Sequence, residues 1–391
     1  MSLAGRAVDE GVLESVRRDI LQDAGPVTAR RVVAAVNSTG RFLGPSVALA
    51  AAEMINAELK GLGPLQPLAD HPGTTDIFVN GPQDVWLDRG EGLERCPVSL
   101  GSEEQLRALA QRLVSAGGRR LDDSNPCVDV RLNGGYRVHA VIPPLSPSGT
   151  VLSIRIRRAR PFTLDEMQAA GMFGENVAAL LRLLVERRLN FLVSGATGSG
   201  KTTMLSTLLG LVDPAERLVL VEDAAELNPP HPHAIALEAR HGNTEGKGEI
   251  DLRELVRQSL RMRPDRLVVG ECRGAEVREL LMALNTGHSG AGTLHANSAA
   301  DVPARLEALC ALAGLGPEAA RAQVASAVDV VIHVVRTQHG RKLAELSVVE
   351  ARAGRLTVVP AVGGSGENPQ PGPAWDRLRE KLGGEATPWS S

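Results

Sequence analysis

Between the apolar triplet Phe191-Leu192-Val193 and a run striped with Met204, Leu205, Leu208, Leu209 and Val212 lies Gly195-Ala196-Thr197-Gly198-Ser199-Gly200-Lys201-Thr202, followed by Thr203. The pattern G-x-x-x-x-G-K-T is a Walker A loop. It constrains the fold more than any other stretch, because it works only between a buried strand and the start of a helix. Its glycines let the backbone curl so that successive N–H groups point at phosphates, and the helix adds its positive N-terminal end. In that geometry Lys201 reaches the β- and γ-phosphates of a nucleotide, and Thr202 ligates Mg²⁺. The segment therefore predicts an α/β sheet that binds ATP and Mg²⁺ across Gly195–Thr203.

The surrounding chain suits that sheet. From 161 to 362, apolar strands (Leu218–Val221, Leu267–Val269, Val330–Val335) alternate with helical patterns. Residues 61–160 have another character. Short strands are expected at Asp76–Asn80, Asp84–Asp88, Val128–Leu132, Tyr136–Ile142 and Val151–Ile156, with a helix from about Ser102 to Ala116 and a hairpin signal at Asn133-Gly134-Gly135. This predicts a smaller α+β domain with an antiparallel sheet. Residues 1–60 read as an N-terminal helical region. Residues 363–391, rich in Gly, Pro and Ser, read as a flexible tail.

With 391 residues, a net charge of -3 and 2% aromatics, the chain carries no global signature of a nucleic-acid binder. Its four cysteines are far apart and match no zinc spacing, so no structural zinc is expected. No apolar run is long enough to span a bilayer, and the expected location is cytoplasmic.

Four further constellations are candidates for chemistry. Glu271 ends the apolar strand Leu267-Val268-Val269-Gly270, the Walker B arrangement, where a carboxylate meets Mg²⁺ or the attacking water. A helix-initiating acid is the alternative. Glu222, Asp223 and Glu226 crowd another strand end and need a cation or a polarised water between them, unless they form a solvated turn. His288 and His295 bracket a small-residue stretch; either is a γ-phosphate sensor or an ordinary histidine. Arg155 and Arg157 share one face of a strand, as a phosphate clamp or a solvated surface. The row Arg253, Arg257, Arg261 reads as a solvated helix face, and His231 with His233 as loop.

Taken in order, Walker A, Glu222-Asp223-x-x-Glu226-Leu227, Gly270-Glu271 and Thr286-Gly287-His288 to His295 resemble the type II/type IV secretion ATPases. Arg119–Pro126, Val128–Leu132, Val141–Leu145 and Arg261–Arg266 look most like the tight-adherence (Flp) pilus branch. The resemblance implies a RecA-like P-loop ATPase domain behind a PAS-like domain, assembled as a homo-oligomeric, hexameric ring. It further implies a motor on the inner face of the cytoplasmic membrane, working with a polytopic membrane platform protein. Catalysis is then expected from Glu271, Glu222, Glu226, His288 and His295, with Arg155 reaching the phosphates and Arg131 or Arg137 as further candidates for that contact. Mg²⁺ is expected at Thr202 and Glu271. The alternative is a RecA-like translocase of nucleic acid, which the scarcity of aromatic stacking residues disfavours.

Overall fold

The computed structural model describes residues 61–384, apart from residues 72, 91, 133, 157–159, 241–247 and 364–368. The helical region expected at 1–60 lies outside the described residues, as does Arg157. The chain divides into two compact units at residue 160.

The first unit is built on six antiparallel strands: β1 Asp76–Gly81, β2 Asp84–Asp88, β3 Leu93–Cys96, β4 Cys127–Leu132, β5 Tyr136–Val141 and β6 Val151–Ile156, in the order β3-β2-β1-β6-β5-β4. Their period-two pattern sends Ile77, Val79, Val138, Ala140, Leu152 and Ile154 to one face. Helix α1, Glu103–Ala116, contributes Leu106, Ala110 and Leu113 to the same core. It starts where the sequence says it should: the Ser102 hydroxyl accepts from the Gln105 N–H, and the Gln105 side chain accepts from the Ser102 N–H. β3 is exposed along most of its length, and its Leu-Glu-Arg-Cys sequence carries no strand pattern.

The second unit is a nine-stranded sheet. Its parallel part comprises β7 Phe191–Gly195, β8 Leu218–Glu222, β9 Ala234–Glu238, β10 Arg266–Cys272, β11 Ser289–His295 and β12 Val330–Thr337. β13 Gly340–Arg352, β14 Arg355–Gly363 and β15 Gln370–Pro371 extend it antiparallel, giving the order β15-β14-β13-β12-β7-β11-β10-β8-β9. Alternate side chains feed two cores. Phe191, Val193, Leu218, Leu220 and Ile332 pack with helices α2 Leu164–Ala169, α3 Glu175–Glu186 and α4 Lys201–Leu209. Leu192, Leu267, Val269, Leu294 and Val331 pack with α5 Leu252–Leu260, α6 Glu276–Asn285, α7 Val302–Leu312 and α8 Pro317–Ala327. Helices on both faces explain why the strands read as continuous apolar runs.

Two expectations need correction. Part of the Gly- and Pro-rich segment after 363 is ordered: helix α9, Trp375–Lys381, follows β15, and Ala374, Leu378 and Leu382 complete the first of these two cores. Average composition obscured three apolar residues at helical spacing. The arginine row on α5 is also not a merely solvated face. Arg253 and Arg257 both reach the buried Glu279 carboxylate of α6, at 3.5 and 2.7 Å.

Leu378 is 1% exposed. Leu378→Ala is expected to destabilise the second unit by about 2–5 kcal/mol through lost burial and a residual cavity. Urea denaturation reads this, and an unchanged midpoint would mean the helix does not contribute to the core.

Candidate functional site

β7 is buried at every position and ends at Gly195, where the loop begins. Gly200 closes the loop as the residue before α4, with φ at 97°, a left-handed conformation that glycine adopts without strain. Lys201 follows in the first turn and is only 7% exposed. Its ammonium donates to the Ala196 carbonyl at 3.0 Å and lies 3.4 Å from Nδ1 of His295.

Parallel pairing brings the next groups in. His295 ends β11 directly opposite Gly195, and β10 on the far side of β11 ends near Glu271 and Cys272. His295 Nε2 is 2.7 Å from Glu271 Oε1, and Arg273 Nη2 is 2.5 Å from Glu271 Oε2. An ammonium can only donate, so Nδ1 of His295 accepts and Nε2 carries the proton, facing Glu271 Oε1 in a close polar contact rather than an aligned hydrogen bond. The result is a continuous chain: Lys201, His295, Glu271, Arg273.

The electrostatics follow from this placement. Burial holds the Lys201 ammonium below its ordinary range; Glu271 pulls it back up and Arg273 opposes that. Burial, then the Lys201 charge, holds His295 below the usual imidazole value, so it is neutral at pH 7. Arg273 is held more firmly protonated, first by its hydrogen bond to Glu271 and then by the charges of Glu271, Asp223 and Glu226. Asp223 and Glu226 therefore lie within the field of this cluster.

Glu222 has a different task from Glu271. It is 3% exposed, and its Oε1 accepts the backbone N–H groups of Glu226 and Leu227, each at 2.9 Å. A Cβ on Gly270 would stand 2.5 Å from Glu222 Cγ. Glycine at 270 thus leaves room for the side chain of the neighbouring strand, and Glu222 organises the acidic loop.

His288 is not brought to the loop. It precedes β11 at the opposite end from His295, about 20 Å away along the strand rise. Sequence reasoning passed over His333, which sits opposite Ser194 on β12 and takes a 2.9 Å hydrogen bond between its Nδ1 and the Ser194 hydroxyl. A single polar residue inside Val330–Val335 was the available signal. Burial also keeps His333 below its usual value. Arg273, two residues past Glu271, is a further group the sequence analysis did not single out, and it is the hydrogen-bonding partner of that carboxylate.

In the first unit, Arg155 lies in a cross-strand row. Arg131 pairs with Arg137, Arg137 with Arg155, and Arg155 with Asp76. Asp129 approaches Arg137 at 3.1 Å and Asp76 approaches Arg155 at 3.3 Å. Three guanidinium groups in register repel one another, so such a row suits an anion.

For a divalent cation, the loop offers the Thr202 hydroxyl and the Glu271 carboxylate. These are hard oxygen donors with no thiolate beside the loop except the buried Cys272, whose burial raises its thiol well out of the reactive range. The set fits Mg²⁺.

Comparison with known proteins gives a consistent picture. A family model described as type II/IV secretion system protein matches residues 58–365. A Mycobacterium tuberculosis H37Rv protein named for conjugal transfer is 51% identical over 326 residues, covering 81% of this chain and 93% of the relative. The type IV secretion system protein PtlH of Bordetella pertussis is 33% identical over 302 residues, covering 70% and 88%. The Legionella pneumophila ATPase DotB shares the fold, with a TM-score of 0.51 at 20% identity over 76% of this chain and 78% of that one. Among the described residues, no helix is long and apolar enough to cross a membrane.

His295 and His333 are both held below the ordinary imidazole value of 6.5. The unfolded chain binds protons at these positions before the folded protein does, so lowering the pH through that value favours unfolding. Thermal melts should show a midpoint that falls from pH 7 to pH 5, with a shallower fall in His333→Asn. An equal slope in the variant would mean that His333 is not a buried neutral group.

Proposed function

Because this chain belongs to the type II/IV secretion system protein family, we propose that it converts ATP hydrolysis into work for pilus assembly or protein secretion at the cytoplasmic face of the membrane. It is an ATP hydrolase of that family. The observation that carries the reading is the chain Lys201–His295–Glu271 at the end of a buried strand. A charged lysine beside curled backbone meets polyphosphate, and a carboxylate held by a neutral histidine accepts a hydrogen bond from water.

In the proposed mechanism, a phosphate oxygen takes the Lys201 ammonium from the Ala196 carbonyl. Glu271 orients the attacking water: Arg273 occupies one lone pair on Oε2, and a carboxylate has about four such sites, which leaves others to accept from water. Water's oxygen bonds to the γ-phosphorus, the bond to the β,γ-bridging oxygen breaks, ADP leaves with that oxygen, and the inorganic phosphate formed keeps the water's oxygen and both of its protons. Thr202 and Glu271 would hold Mg²⁺, which neutralises phosphate charge. Glu226 and Asp223 keep Arg273 in place. Arg155, with Arg131 and Arg137 in its row, is proposed to supply guanidinium charge to the phosphates.

We further infer a hexameric ring on the inner face of the membrane, working against a polytopic platform protein. The tight-adherence branch is inferred from the segments Arg119–Pro126 and Val141–Leu145. A second reading, nucleic-acid translocation, draws on Phe78, paired opposite Trp86 on the sheet face that carries Arg155. Hydrolysis stimulated by single-stranded DNA would favour it.

Phosphate release by purified protein tests the main reading. Lys201→Ala should fall below about a tenth of wild-type turnover, since such contacts carry several kcal/mol of transition-state stabilisation. Glu271→Gln should still bind ATP and hydrolyse it at least about a hundredfold more slowly. Arg155→Ala should bind ATP yet turn over poorly. Mixing it with Lys201→Ala subunits decides between action in cis, with no recovery, and action across the ring, with recovery. Full activity of Arg155→Ala would remove it from the site.

A further inference from the structure

Strand β12 runs alongside β7 and continues past the end of the Walker A strand before turning back as β13 through Gln338 and His339. The turn is tied by the Thr337 hydroxyl, which donates to the Gly340 carbonyl at 2.9 Å and accepts from the His339 N–H at 3.2 Å. Just before this tip, Arg336 and Arg341 are direct cross-strand partners.

Both arginines lie against the phosphate loop. Arg341 Nε donates to the Gly198 carbonyl at 3.2 Å. A Cβ built on Gly200 would stand 2.9 Å from Arg341 Cδ, and one built on Gly198 would stand 3.7 Å from Arg336 Nη1. Glycine at 200 is thus required twice, for its left-handed backbone and for the close approach of the hairpin. Lys342, next along β13, donates to the Gly171 carbonyl and fixes the strand from the other side. The hairpin is therefore seated on the loop, with an exposed guanidinium, Arg336, beside it.

We propose that the β12–β13 hairpin forms a second cationic wall of the nucleotide site, in which Arg336 contacts the phosphate chain of a bound nucleoside di- or triphosphate and Arg341 positions the Walker A loop through Gly198. This rests on the ATPase reading and adds a binding group to it. Lys201 meets the phosphates from within the loop, and the hairpin meets them from its flank. A guanidinium suits this place because it offers several donors in one plane to phosphate oxygens. The same contact is available to ADP, so the hairpin holds product as well as substrate.

Titration of ADP into the full-length protein, by calorimetry and at several salt concentrations, tests the proposal. Arg336→Ala should weaken ADP binding at least about tenfold, the loss of one charge-assisted hydrogen bond. It should also flatten the salt dependence, because one phosphate–cation contact is gone. Arg336→Lys should keep the salt dependence. His339→Ala, at the tip of the same turn, should bind ADP as the wild type does. ADP affinity and salt dependence that are unchanged in Arg336→Ala would overturn the proposal while wild-type binding leaves the ATPase reading standing. Equal losses in Arg336→Ala and His339→Ala would also overturn it, by showing a general effect of the turn.

Discussion

A buried ammonium governs this molecule. Lys201 opens the helix that follows a strand covered on both faces, and it is almost out of water. Burial penalises its charge, so charge and hydrogen bonding must come from elsewhere in the fold. The Ala196 carbonyl supplies one partner from within the loop, His295 a second from β11, and Glu271 acts from the end of β10. Parallel strands make this possible, because every strand then delivers its last residue to the same edge. A lysine so weakly compensated is poised to exchange those partners for phosphate, whose charge is greater.

The carboxylates divide the work by burial and by what their oxygens already touch. Glu222 is nearly inaccessible and shapes the loop through two backbone N–H groups, in space that Gly270 leaves open. Glu271 is held from two sides, by a hydrogen bond from the Arg273 guanidinium and by close contact with the neutral His295 imidazole. That arrangement fixes its direction, which is what a group that orients water requires. The neutrality of His295 matters here. Lowered by burial and by Lys201, it lies between Lys201 and Glu271 without adding a third positive charge beside Lys201 and Arg273.

The strands on either side of β7 also report on the loop. β11 contributes His295, and β12 contributes His333 and the hairpin that lies on Gly198 and Gly200. A shift of the loop is therefore felt in both neighbouring strands, and through β13 in the antiparallel extension of the sheet.

By itself, the sequence determined several features that depend on neighbouring residues: the glycine-rich loop between strand and helix, the α/β alternation after 160, the antiparallel α+β pattern before it, and the Ser102 helix start. It also marked Glu271, Glu222 and His295 as worth attention, because each follows an apolar or small-residue strand. Tertiary structure decided which of these groups meet. His288 and His295 look equivalent in sequence, yet one precedes β11 and the other ends it, and only the end of a parallel strand reaches the loop. The small residues of β11 fit between close neighbours and carry no strand propensity to reveal them. Arg336 and Arg341 lie more than a hundred residues after the loop they touch, and Leu378 is hidden in a segment of tail-like composition. Periodicity encodes which face a side chain takes; register and strand order, set by packing across the whole chain, fix which distant groups share it.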